Sequence, residues 1–181
     1  MHKDIKEILF TEEEIQQKIQ QLASQINQDY AGRHLFILCV LKGAFIFLAD
    51  ITKKLEMSLE VDFMAVSSYG ASSQSSGIVK ITKDLDGSVE GKDILIIEDI
   101  IDTGLTLSYL IDVLERRNAR SIRVATLFDK PHRRKAELEA DYRGFLIPDE
   151  FIVGYGLDYA EKYRNLPYVG ILKHELYAGH L

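Results

Sequence analysis

Two short runs without a single polar side chain, residues 35–41 and 94–97, constrain the fold of this chain more than anything else in it. A strand wetted on one face alternates apolar and polar residues, whereas a run that is apolar throughout needs cover on both faces. The sequence supplies that cover. Thr11 and Glu14 form a capping box, and Ile15, Ile19, Leu22 and Ile26 follow at helical spacing, which predicts an amphipathic helix over 11–28. Residues 44–55 read as a largely buried helix, and Leu107, Leu110, Ile111 and Leu114 mark another after the second run. Residues 59–65 alternate as a strand does, and 78–81, 122–128, 151–155 and 168–172 are further strand candidates. Strands alternating with helices predict an α/β fold, with a mainly parallel sheet core flanked by helices. No repeat or linker interrupts the pattern, so a single domain over residues 1–181 is expected.

Composition excludes several classes of function. Lys and Arg number 22 against 28 Asp and Glu, a net charge of −6, so the excess positive charge that grips nucleic acid is missing. The single cysteine, Cys39, rules out a disulfide framework and a multi-thiolate zinc site, and its apolar neighbours make it a core residue. His2, His34, His132, His174 and His180 show no zinc-ligand spacing and read as surface residues. The run His132-Arg133-Arg134-Lys135 reads as a solvated, basic helix face. The polar start Met1-His2-Lys3-Asp4 lacks an apolar signal core. The most apolar stretch, 35–49, contains Lys42 and is shorter than the ~20 residues of a bilayer span. A cytoplasmic protein with no membrane partner is expected.

The chemistry concentrates where the second apolar run ends: Ile94-Leu95-Ile96-Ile97-Glu98-Asp99-Ile100-Ile101-Asp102-Thr103-Gly104-Leu105-Thr106. In open α/β sheets, ligands bind at the carboxyl ends of strands. A helix starting there presents unpaired N–H groups, Thr103 and Thr106 add hydroxyls, and Gly104 lets the backbone approach a ligand, so the turn can cradle a phosphate. Three carboxylates beside a phosphate cradle conflict unless the ligand also carries vicinal hydroxyls. Glu98 and Asp99 can accept from ribose hydroxyls directly or through Mg²⁺, which describes a phosphorylated ribose. As a plain structural alternative, Asp102 is a helix N-cap.

This segment resembles the phosphoribosyl pyrophosphate motif of the type I phosphoribosyltransferases, in the wording of the hypoxanthine-guanine branch. Leu41-Lys42-Gly43, Ser68-Tyr69, Asp129-Lys130-Pro131, and Phe151 to Asp158 with Arg164 match the same family in the same order, over roughly 35–172. The resemblance implies the type I fold with a small hood from the terminal segments and a flexible lid loop over 67–77. It implies that Glu98, Asp99, Ile100, Asp102, Thr103, Gly104, Leu105 and Thr106 bind the phosphoribosyl group, with Asp102 as general base, its proton affinity raised by the neighbouring acids. It assigns pyrophosphate to Lys42, Gly43, Arg164, Ser68 and Tyr69, with a cis peptide bond before Lys42.

By the same resemblance Lys130, Phe151, Ile152 and Asp158 hold the purine, and Glu98, Asp99 and Asp158 hold Mg²⁺. Lys130 would donate to a 6-oxo group and oppose the amino group of adenine. The implied activity is transfer of phosphoribosyl to hypoxanthine or guanine in purine salvage, by a homodimer or homotetramer. Read as residues alone, Lys42 is a snorkelling lysine, Lys130 an exposed loop lysine, Phe151 a core aromatic, and Asp158 and Arg164 members of surface ion pairs. Leu105 departs from the lysine found there in some relatives. Two rival readings remain: a regulator on the same fold, and the same chemistry on xanthine or a pyrimidine.

Overall fold

The computed structural model describes residues 2–68 and 79–178. The elements in chain order are β1 (Ile5–Phe10), α1 (Glu12–Asp29), β2 (His34–Leu41), α2 (Phe45–Thr52), β3 (Ser58–Ser68), β4 (Val79–Lys83), β5 (Asp93–Ile101), α3 (Leu105–Arg116), β6 (Ser121–Asp129), β7 (Tyr142–Leu146), β8 (Ile152–Val153) and β9 (Val169–Leu172). Both all-apolar runs lie in central strands of a sheet ordered β4-β3-β2-β5-β6-β7, parallel except for β4 on β3.

Successive side chains on a strand point to opposite faces, and each run is divided accordingly. Leu35, Ile37, Cys39, Leu95 and Ile97 pack with α1 and α2. Phe36, Leu38, Val40, Ile94 and Ile96 pack with α3 on the other side. Each such side chain contributes about 1.5–3 kcal/mol on burial. The capping box at the start of α1 is formed: Glu14 N donates to Thr11 Oγ1 at 3.2 Å, and Thr11 N donates to Glu14 Oε2 at 2.8 Å. Cys39 is fully buried, and burial together with the Glu98 and Asp99 charges pushes its thiol up to about 12, which keeps it unreactive. No helix among the described residues is long and apolar enough to cross a membrane.

Several sequence expectations are corrected. The strand candidates at 151–155 and 168–172 shrink to β8 and β9 and leave the main sheet. With β1, which lacks clean alternation, they form a separate antiparallel sheet, β1-β9-β8, the hood. β7, short and interrupted by Gly144, also gave no strand signal. A Cβ at Gly144 would lie 2.3 Å from the Leu127 carbonyl oxygen, so close strand pairing requires glycine there. The helix expected over 44–55 is confined to α2. Glu98 and Asp99 lie within β5 instead of following it. The basic run at 132–135 is no solvated helix face: a single 3₁₀ turn covers Pro131–Arg133, and Arg134 is turned inward. Residues 69–78, with Tyr69 and most of the expected lid, lie outside the described residues, as does His180. The other four histidines are exposed.

Candidate active site at the carboxyl edge of the sheet

Parallel strands discharge their chains at one edge, so the segments after β2, β5 and β6 converge. They border a cavity of about 320 Å³, lined by Lys42 and Gly43, by Glu98–Gly104 and Thr106, and by Asp158 and Arg164 from the hood side. An adjoining cavity of about 280 Å³ is lined by Lys130, Phe151, Ile152 and Leu157. Asp99, Ile100, Asp102 and Asp158 border both, so the site has two lobes with a shared acidic wall.

Glycines set the closeness of that wall. A Cβ added at Gly43 would fall 1.5 Å from Asp99 Oδ2, and one at Gly156 would fall 2.0 Å from the Gly43 carbonyl oxygen. Gly43 is thereby packed against the Asp99 carboxylate on one side and against the backbone at Gly156 on the other. The Leu41–Lys42 peptide is cis. Gly104, at φ +78°, occupies the N-cap of α3 with no side-chain cap, so Asp102 is not the cap and its carboxylate is left for other work. The first N–H groups of α3 have no intrahelical acceptor, and Thr106 and Leu107 of that turn line the cavity with Thr103. Leu105 does not line the cavity; its N–H lies 3.4 Å from Thr103 Oγ1.

The acids at the end of β5 are short of partners. Burial, and then the charge of Asp99, holds the Glu98 carboxyl well above the usual carboxylate range, and Glu98 Oε2 is enclosed without a hydrogen bond. Asp99 is pushed up to about 6 by burial, against the Ile100 N–H that donates to Oδ1 at 2.7 Å. Beside these two acids, the Arg133 Nε lies 3.0 Å from Asp102 Oδ1. Two half-buried carboxylates, one oxygen orphaned, suit a divalent cation. Mg²⁺ typically takes one or two carboxylates and completes its shell with water and substrate oxygens. Among the described residues no group of three His, Cys, Asp or Glu is arranged to hold a metal unaided, so Asp158 is not gathered into a ready-made set with Glu98 and Asp99. Asp158 instead pairs with Arg164 at 2.8 Å and accepts the Glu161 N–H at 2.8 Å. Arg164 also donates to the Gly156 carbonyl at 2.8 Å.

Lys42 is exposed and pairs with Glu161 at 3.2 Å. Lys130 is no exposed loop lysine: it is 8% exposed, its Nζ donates to the Glu150 carbonyl at 2.7 Å, and burial lowers its pKa. Phe151 belongs to an aromatic cluster, stacked on Tyr177 at 5.0 Å and edge-on to Tyr159 at 5.5 Å, while also lining the second lobe. Ser68 ends β3, paired with Val79. Sequence reasoning missed Arg133, Arg134 and Leu157. Arg134 donates to the Asp102 carbonyl at 2.7 Å and pairs closely with Asp129, and Lys135 N and Ala136 N donate to the Thr103 carbonyl at 2.9 and 3.2 Å. The signal was the basic run itself, positioned one turn past Lys130.

A helix start with free N–H groups, a shared acidic wall and an amine-lined second lobe meet at this edge. The family profile described as Phosphoribosyl transferase domain matches residues 6–160, and the chain belongs to the phosphoribosyltransferase family. Within it, similarity falls on the hypoxanthine-guanine branch. The chain is 57% identical to the hypoxanthine-guanine phosphoribosyltransferase of Bacillus subtilis and 55% identical to that of Streptococcus thermophilus, over 98% of each pair of chains. A crystal structure of a hypoxanthine phosphoribosyltransferase from Staphylococcus aureus matches with a TM-score of 0.95 at 52% identity, covering 98% of this chain and 96% of that one. The chain is also 56% identical to the bifunctional protein TilS/HprT of Listeria monocytogenes, of whose length it spans 28%.

Proposed function

We propose that the chain acts as one phosphoribosyltransferase domain in purine salvage, moving the 5-phosphoribosyl group from phosphoribosyl pyrophosphate to hypoxanthine or guanine. The observation that carries this reading is the two-lobed cavity with Asp99, Ile100, Asp102 and Asp158 common to both lobes. The 5-phosphate sits against the first turn of α3 and the hydroxyls of Thr103 and Thr106, and Glu98 and Asp99 receive the ribose hydroxyls. Lys42, Gly43 and Arg164 face the pyrophosphate, and the base enters the second lobe between Phe151 and Lys130. As a buried donor, Lys130 satisfies a 6-oxo group and leaves the adenine amino group unpaired.

The purine nitrogen forms the new bond to C1 as the bond from C1 to the pyrophosphate oxygen breaks, with inversion at C1. The electron pair of the broken bond leaves on pyrophosphate, where Lys42 and Arg164 offset the charge. The purine N–H proton passes to the Asp102 carboxylate. Glu98 and Asp99 would hold Mg²⁺, whose chemistry is to neutralise charge on the sugar donor and its leaving group. The reading extends to cytoplasmic work as a homodimer or homotetramer.

A steady-state assay with phosphoribosyl pyrophosphate and Mg²⁺, offering hypoxanthine, guanine, xanthine, adenine and uracil separately, tests it. Nucleotide formation from hypoxanthine or guanine, abolished by a chelator, is expected. Binding of the sugar donor with turnover of none of these bases would overturn the reading in favour of a ligand-sensing regulator.

A further inference from the structure

The opposite edge of the sheet carries a second polar cavity. There the amino ends of β2, β5 and β6 meet the last turn of α1 around a space of about 570 Å³, lined by Tyr30, Arg33, Arg120 and Arg123 together with His34, Asp93 and Ser121. Three guanidinium groups face one carboxylate, on a chain whose net charge is −6.

The acids near this cavity are already satisfied. Asp93 accepts from Arg120 Nε at 2.9 Å and Nη2 at 2.5 Å, and from Ser121 Oγ at 2.7 Å. Asp29 accepts from Arg123 Nη1 at 2.6 Å and from the Tyr142 hydroxyl at 2.7 Å. Asp141 accepts the Val124 N–H at 2.8 Å. His34 is engaged with Ser58 and Glu60.

Two donors are left over. Arg33 makes no ion pair among the described residues, although its charge is felt at both Asp29 and Asp93, which puts its guanidinium beside the cavity. Tyr30 is 2% exposed, and its hydroxyl is buried without a hydrogen-bond partner. Burial raises the Tyr30 pKa, so the phenol is a donor at neutral pH. A buried hydroxyl is seldom left unpaired in a folded protein, because its lost hydration is uncompensated. An unpaired fork of N–H donors and an unpaired phenol at one cavity match the tetrahedral acceptors of phosphate, which guanidinium groups bind in pairs of hydrogen bonds.

We propose that this cavity is a second ligand site that binds a phosphate group, carried by a small metabolite or free, with Arg33 supplying the uncompensated charge and Tyr30 a buried hydrogen bond. The outer N–H groups of Arg120 and Arg123, pointing away from Asp93 and Asp29, complete the donor set. The site is separate from the carboxyl edge and stands whether or not the proposed activity does.

A ¹H–¹⁵N NMR titration of the full chain, at constant ionic strength, tests it with two probes, inorganic phosphate and adenosine 5′-monophosphate. The amides of Tyr30, Arg33 and Ser121 are expected to shift saturably, with a dissociation constant distinct from that of Thr103–Thr106. Tighter binding of the nucleotide would assign a phosphorylated metabolite, and equal binding would assign free phosphate. Arg33→Ala should weaken binding at least about tenfold and Tyr30→Phe about threefold; both leave the apolar packing intact. Linear, unsaturated shifts, an adventitious ion only, would overturn the proposal. So would saturation with the same constant in both variants.

Discussion

One strand carries acids withdrawn from water at both ends, Asp93 buried and Glu98 and Asp99 half-buried, and the two ends treat them in opposite ways. At the start of β5, Asp93 is held by Arg120 and Ser121, whose hydrogen bonds lower its pKa. At the far end, Glu98 and Asp99 meet no such partners, and burial raises theirs. Burial is common to both ends, so partners decide the outcome. A paired buried acid serves the fold; an unpaired one is a cost that persists where a ligand supplies the missing charge. The contrast distinguishes the two edges of this sheet by their electrostatics alone.

The sharpest way to break that contrast is Asp102→Asn. Turnover should fall by about 10²–10⁴-fold, the usual worth of a positioned base, with binding of phosphoribosyl pyrophosphate little changed; near-normal turnover would remove Asp102 from the chemistry. Gly43→Ala comes next, because its Cβ would displace the Asp99 carboxylate. A loss of about 10²-fold in kcat/KM is expected, since an ångström of misplacement in a site has that effect. Normal kinetics in that variant would show that the close packing has no functional role.

Stability should respond in opposite directions at the two ends. Asp93→Ala strands Arg120 and Ser121 and should cost about 2–3 kcal/mol, roughly 5–10 °C in Tm, with kcat intact. Asp99→Asn removes an unpaired buried charge and should raise the Tm of the metal-free protein while lowering affinity for the sugar donor. The pH dependence follows the same signs. Asp99, raised to about 6 from 3.8, penalises the fold above pH 6, and the penalty is relieved as the pH falls from 6 towards 4. Asp93, lowered, supports the fold above 3.8, and that support is lost as the pH falls through its lower native value. Denaturation curves across pH 3–8 should therefore lose the acid-side gain in Asp99→Asn and keep it in Asp93→Ala. The smallest effect on stability is that of Lys42→Ala, which breaks an exposed pair with Glu161 and should change it by less than about 1 kcal/mol.

The centre of the fold was legible because β2 and β5 are buried on both faces and read as unbroken apolar runs. β1 and β7 were not, since each is short and stabilised by partners distant in sequence, as Ile5 is by Leu172. The turn that opens α3 was legible because a helix start, a glycine and hydroxyls are local features. Arg133 and Arg134 were hidden because their partners, Asp102 and Asp129, are fixed by the turn of the chain after β6, and no sequence pattern separates an inward arginine from a solvated one. Lys130 was misread in isolation for the same reason: the carbonyl that holds it belongs to Glu150, twenty residues away.

The segment after β6 is sewn to the turn after β5 chiefly through main-chain groups, Lys130 N to the Ile101 carbonyl and Lys135 N and Ala136 N to that of Thr103. Such stitches do not depend on which side chains line the two lobes. They act as a fixed gauge between the turn at the head of α3 and the Lys130 amine. On the proposed activity, substitutions in the second lobe would retune which ring is accepted while the spacing at the bond-forming carbon is kept, so selectivity in this scaffold would drift without resetting its reach.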